Sequence, residues 1–133
     1  MFYIETLKLY DSSLKKFIAL FASGGVSNPR ILLYKISTTL YIQYRVSGQS
    51  DVLMLKTDMN FSTTNKICFT INNNTLKLFV NGVLSGSATI VQGDPIEDLD
   101  LVENVNDIGH FISQIITFST ALTDAECTTL TTV

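Results

Sequence analysis

Across residues 39–46 every second residue is apolar. Leu40, Ile42, Tyr44 and Val46 share one side of an extended chain, and Thr39, Tyr41, Gln43 and Arg45 share the other. A strand has a side-chain period of two, so this pattern specifies a sheet strand with one face turned inward. The period returns at 66–71, where Ile67, Phe69 and Ile71 oppose Lys66, Cys68 and Thr70. In Thr75–Val80 it groups Leu76, Leu78 and Val80, and at 111–118 it sets Ile112, Ile116 and Phe118 against Ser113 and Thr117. Weaker strand signals lie at 2–9, 16–21, 30–36, 52–56, 84–91 and 99–103. Leu40, Ile42, Leu76, Leu78, Ile112, Ile116 and Phe118 are accordingly expected in one core between two sheets.

Turn chemistry separates these runs. Asn81-Gly82 stands between Phe79-Val80 and Val83-Leu84, and a type I′ hairpin turn needs two residues that tolerate positive φ. Asn72-Asn73-Asn74 supplies a second turn, and Gly24-Gly25 with Asn28-Pro29 an earlier loop. Short strands broken at this spacing read as a sandwich or barrel. One helix departs from the pattern. Thr123 is set to cap it and Glu126 to reach back, a capping box, with Leu122 and Cys127 as a hydrophobic staple. Asp124 and Glu126 add negative charge at the positive end of the helix dipole. The helix is expected to end by Thr131.

A chain of 133 residues, 46% hydrophobic, is long enough for one core. A single domain spanning 1–133 is expected, an all-β, two-sheet antiparallel jelly-roll sandwich with one short C-terminal helix. The net charge of -3 is mild, and the nine basic residues are scattered, so no stripe for phosphates exists. Nucleic acid and membrane insertion are therefore not expected as partners. The longest apolar run, 17–22, is far short of a membrane span. No basic-then-apolar leader opens the sequence, so synthesis in the cytoplasm without a signal peptide is expected. Cys68 and Cys127 lack metal-like spacing, and two buried, reduced thiols are expected.

Chemistry-bearing residues are sparse, and no catalytic residue is expected. His110 is the single histidine, so any Ser–His–Asp or Cys–His arrangement would have to use it, and no activated nucleophile is suggested beside it. The four glutamates offer no pair placed for glycoside hydrolysis. An acidic run at 93–100 contains Asp94, Glu97, Asp98 and Asp100. It reads as a solvated acidic turn, with calcium kept as an alternative, because hard oxygen ligands on a loop suit that ion while the spacing matches no EF-hand loop. No cofactor is expected. The outward face of 39–46 is the candidate ligand surface: Tyr41, Gln43 and Arg45, with Tyr34 on a neighbouring strand. Flat aromatic faces beside planar hydrogen-bonding groups suit sugars. An ordinary half-exposed strand face is the plain alternative.

The order of these motifs resembles a known family. Lys66-Ile67-Cys68-Phe69 leads to Leu76-Lys77-Leu78-Phe79-Val80-Asn81-Gly82, then Asp107-Ile108-Gly109, then 112–118, then Ala121-Leu122-Thr123-Asp124-Ala125-Glu126-Cys127. This succession is similar to the concanavalin A-like lectin/glucanase jelly roll, in its laminin-G-like and pentraxin-like branch. The ending at 118–131 resembles the termini of bacteriophage tail-fibre and other virion proteins. The resemblance implies two facing sheets and carbohydrate or protein ligands. The Glu-x-Asp-x-x-Glu strand of the family's hydrolases has no counterpart in this sequence. The expectation that follows is a non-catalytic lectin-like module of a tail fibre, head fibre or decoration protein. It would sit in many copies or as a homo-oligomer on a virion surface and attach to host-surface glycans. A purely structural subunit holding other virion proteins is the alternative, with a glycoside hydrolase third.

Overall fold

The computed structural model describes residues 2–6, 15–22, 31–45, 52–60, 62–91, 96–100 and 112–133. Among them run ten strands and one helix: β1 (Phe2–Thr6), β2 (Lys15–Ala22), β3 (Ile31–Ile36), β4 (Thr39–Arg45), β5 (Val52–Asp58), β6 (Asn65–Asn72), β7 (Thr75–Val80), β8 (Val83–Thr89), β9 (Ile96–Asp100), β10 (Ile112–Thr117) and α1 (Asp124–Thr131). They form two antiparallel five-stranded sheets, ordered β10-β1-β6-β7-β8 and β5-β4-β3-β2-β9. The class expected from the sequence, all-β with two antiparallel sheets and a short C-terminal helix, is the one observed.

The chain contacts divide into two compact units. The first comprises Met1–Tyr10, Asn60–Ile90 and Phe111–Val133, and the second Asp11–Met59 and Val91–His110. In the first, β6, β7 and β8 are joined by tight turns that asparagine makes possible. Asn73 and Asn74 hold φ of 46° and 60°, and Asn81 and Gly82 hold 50° and 81°. Both pairs thus meet the double positive-φ requirement of hairpin turns whose twist matches the strands. Asn81 also braces the sheet. Its backbone N–H donates to the Lys66 carbonyl, its side-chain oxygen accepts from the Lys66 N–H, and its amide donates to Asn65. Asn65 is itself buried, and its amide donates to the carbonyls of Asn60 and Thr63, so its burial leaves no donor orphaned.

Helix α1 starts as its sequence dictates. Thr123 Oγ1 accepts from the Glu126 N–H at 3.3 Å, and the Thr123 N–H donates to Glu126 Oε2 at 2.8 Å. The Thr123 N–H and the Thr123 hydroxyl, which also donates to Glu126 Oε2 at 2.8 Å, hold the Glu126 carboxyl below its ordinary value. Leu122 packs on a buried cluster of Cys68, Phe79 and Cys127, which is the expected staple joined to the sheet. Lys77 Nζ reaches Asp124 at 2.7 Å, a clamp between β7 and the first turn. At the far end, the Gly82 N–H donates to Thr131 Oγ1 at 3.1 Å.

This helix explains one departure from the sequence reading. Leu76 and Leu78 are fully buried in the first unit, and Leu40 and Ile42 in the second. Ile116, however, pairs with Tyr3, which pairs with Cys68, which pairs with Phe79. Paired residues share a face, so Ile116 stands on the face that α1 covers, opposite Leu78. Phe118 lies with Leu122 and Leu130 of the helix segment. Because α1 makes both faces of this sheet apolar, alternation along β10 could not reveal which face was which. A bulge adds to the ambiguity: Glu5 pairs with Gln114 but Thr6 pairs with Ile112. The side chain of Ile112 is outside the described residues.

Candidate functional site

In the second unit β3 and β4 form a hairpin whose register aligns the expected site residues. Tyr34 pairs with Tyr41, Leu32 with Gln43 and Ile36 with Thr39. On the other side of β4, Lys56 pairs with Tyr41, Met54 with Gln43 and Val52 with Arg45. Since paired residues point the same way, Tyr34, Tyr41, Gln43 and Arg45 occupy one face, together with Lys56 and Met54. The opposite face carries Leu33, Leu40, Ile42 and Tyr44, all buried, and the Tyr44 hydroxyl donates to the Val91 carbonyl at 2.9 Å. Burial of that face orients the site face: a one-residue slip would exchange them.

The two tyrosine rings stack, with centroids 5.0 Å apart and planes 10° from parallel. Such an offset pair contributes about 0.5–1.5 kcal/mol beyond its buried area. Tyr34 is almost covered, at 9% exposure, while Tyr41, Gln43 and Arg45 are half-buried. Burial, and after it the neighbouring Tyr41, raises the Tyr34 phenol above its ordinary value. Its hydroxyl donates to Met54 Sδ at 3.7 Å. Tyr34 therefore serves as a support for Tyr41, and one face of the Tyr41 ring is taken by the stack. Lys56 and Asp58 are exposed, and Asp58 accepts from the Thr39 hydroxyl at 2.8 Å.

The site thus gathers an aromatic pair, a planar amide, a guanidinium, an ammonium and, at its edge, the Asp58 carboxylate. Lys56 and Met54 were missed by the sequence reading because they belong to a strand whose register only the pairing reveals. Their signal was present: Met54 and Lys56 are the alternate positions to Leu53 and Leu55.

Of the acidic run expected as a solvated turn, the described part is strand, overlapping the strand signal read at 99–103. Residues 96–100 form β9, in which Asp98 pairs with Phe21 and Asp100 with Ala19. The side chains of Glu97, Asp98 and Asp100, and all of Asp94 and His110, lie outside the described residues. Among the described residues no three metal-ligating groups come together.

No protein-family model and no curated protein matches this sequence. Solved structures do. The Ruminococcus gnavus IT-sialidase CBM40 bound to α2,3-sialyllactose superposes with a TM-score of 0.79 at 14% identity, covering 99% of this chain and 81% of that one. The leech intramolecular trans-sialidase gives 0.75 at 16% identity, over 99% of this chain and 23% of that enzyme. The binding domain of botulinum neurotoxin serotype C1 gives 0.61 at 11% identity, over 97% and 34%. At these identities the likeness is one of fold alone, a β-sandwich of antiparallel sheets.

Proposed function

We propose that this chain is a non-catalytic, lectin-like module that holds a glycan on the Tyr41 face of β3, β4 and β5. The observation that carries the reading is the stacked Tyr34–Tyr41 pair with Gln43, Arg45 and Lys56 in adjoining rows of one face. An aromatic ring covers the apolar C–H face of a sugar, and amide and guanidinium groups meet its hydroxyls in a plane. Among the described residues of this face, Arg45 and Lys56 outnumber the one carboxylate, Asp58, and that balance favours an anionic sugar, whose carboxylate suits a guanidinium fork. The sialyllactose held by the Ruminococcus gnavus module of the same fold makes sialylated glycans the first ligands to test. The ending at 118–131, with its likeness to tail-fibre termini, supports the further proposal that the module is carried in many copies on a virion.

The test is a glycan array, with sialylated and neutral members, probed by a multivalent form of the chain. Tyr41→Ala and Lys56→Ala should each reduce the signal about tenfold, the scale of one lost contact of ~1.4 kcal/mol. Tyr41→Phe, which keeps the stack, should retain most of it. A multivalent form that ignores every glycan would sink the reading. A second reading, a structural subunit gripping neighbouring proteins, draws on the same face: Met54 and Ile36 are 47% and 43% exposed there. It predicts assembly defects from Met54→Asp and no glycan signal.

A further inference from the structure

Cys68 and Cys127 were expected as two buried, reduced thiols, and both are buried and free. They are also neighbours. Their sulfurs lie 3.7 Å apart although 59 positions separate them in sequence. Cys68 is on β6, at the middle of the first sheet, and Cys127 is in the first turns of α1. Both are free and fully buried, enclosed with Phe79 and flanked by Leu122.

We propose that Cys68 and Cys127 are a disulfide-forming pair that fastens α1 to β6 once the protein enters an oxidising environment. A disulfide needs the sulfurs at about 2.05 Å, so from 3.7 Å they must close by about 1.7 Å. The capping box, the Lys77–Asp124 clamp and the Thr131 contact to Gly82 hold the helix so that the thiols stay opposed. The oxidant is a small-molecule disulfide. One cysteine thiolate attacks a sulfur of that disulfide, releasing one thiolate and leaving a mixed disulfide. The second cysteine thiolate attacks the protein sulfur of this intermediate and expels the other thiolate. The two cysteine protons pass to the released thiolates. Two protein thiols are oxidised and one small disulfide is reduced to two thiols, so atoms and electrons balance.

Burial raises the proton affinity of both thiols, so little thiolate exists at neutral pH and the folded pair resists stray reaction. The oxidant must wait for α1 to lift. Newly made chains would therefore remain reduced in a reducing compartment and become locked slowly outside it. Once closed, the link ties a loop of about 60 residues, for which chain-entropy models give more stabilisation than for a short loop.

The experiment incubates the whole chain with glutathione disulfide, with and without urea just sufficient to open the helix. The product is then unfolded, alkylated with iodoacetamide and weighed. The proposal expects a monomer two hydrogens lighter that takes up no carbamidomethyl groups and yields one linked peptide pair containing Cys68 and Cys127. Its melting temperature should rise by roughly 5–15 °C, reversibly with dithiothreitol. Cys127→Ala should lose this redox dependence. Should that variant fail to fold, oxidised and reduced wild type still give the comparison. Thiols that remain alkylatable, glutathione adducts or chain-to-chain dimers in place of the internal link, or a lowered melting temperature would overturn it.

Discussion

Thr123 and Glu126 show how few side chains decide where a structure stops being sheet. α1 is rich in threonine, a β-branched residue of modest helix propensity, and its threonine hydroxyls at 129, 131 and 132 turn back onto carbonyls of the preceding turn. The start of the helix therefore depends on its cap. Thr123→Ala should cost about 1 kcal/mol, read from urea unfolding. Glu126 adds a pH dependence with a definite sign. Its folded carboxyl is held below the usual range by the Thr123 N–H and hydroxyl, so the folded state favours the charged form. That contribution is complete above the ordinary carboxylate value and disappears as the pH falls through the lowered one. Glu126→Ala should accordingly be less stable than wild type at neutral pH, and the gap in melting temperature should narrow in strong acid. A gap that stays constant down to pH 2 would show the carboxylate to be idle.

At the scale of elements, the β6–β7–β8 meander rests on its two turns and its buried leucines. Gly82 has φ of 81°, and a Cβ there would meet Thr132 Oγ1 at 3.1 Å. Gly82→Ala combines left-handed strain of about 1–2 kcal/mol with pressure on the helix end, and should lower stability by at least that strain. Leu78→Ala, at a fully buried position, should cost about 2–5 kcal/mol. Denaturant midpoints at unchanged slope would check both; a Leu78→Ala loss below 1 kcal/mol would contradict the packing. These elements were legible because their information is local: Asn81-Gly82 names its turn, Thr123 to Glu126 names its cap, and Leu76 and Leu78 name their face. What escaped is information that only pairing creates. The side of Ile116 depended on a helix lying over the sheet. The membership of Lys56 in the site depended on its registration with Tyr41. The strand at 96–100 hid its apolar positions among acids, and the meeting of Cys68 with Cys127 depended on how α1 docks.

For the molecule as a whole, the proposed function turns on valency. The Tyr41 face offers one accessible aromatic ring and a few polar groups, and one face of that ring is already used by Tyr34. A shallow patch of this kind must offset the lost freedom of the sugar and the water removed from its hydroxyls. A single copy should therefore bind with Kd of about 1 mM, equivalent to ~4 kcal/mol. Tethered copies convert later binding events into intramolecular ones, and avidity can then rise by 10²–10⁴ without a new contact, as an order-of-magnitude range. The expected outcome is a monomer scarcely detectable by titration and a trimeric or higher fusion that retains cells or sialylated beads at micromolar or lower concentration. Tyr41→Ala should act more strongly in the multimer than in the monomer, because each lost contact is counted once per engaged copy. Surface plasmon resonance at graded ligand density supplies the measurement. Affinity that is independent of density and copy number would mean a deep single site elsewhere on the chain, and the Tyr41 face would then be a structural surface only.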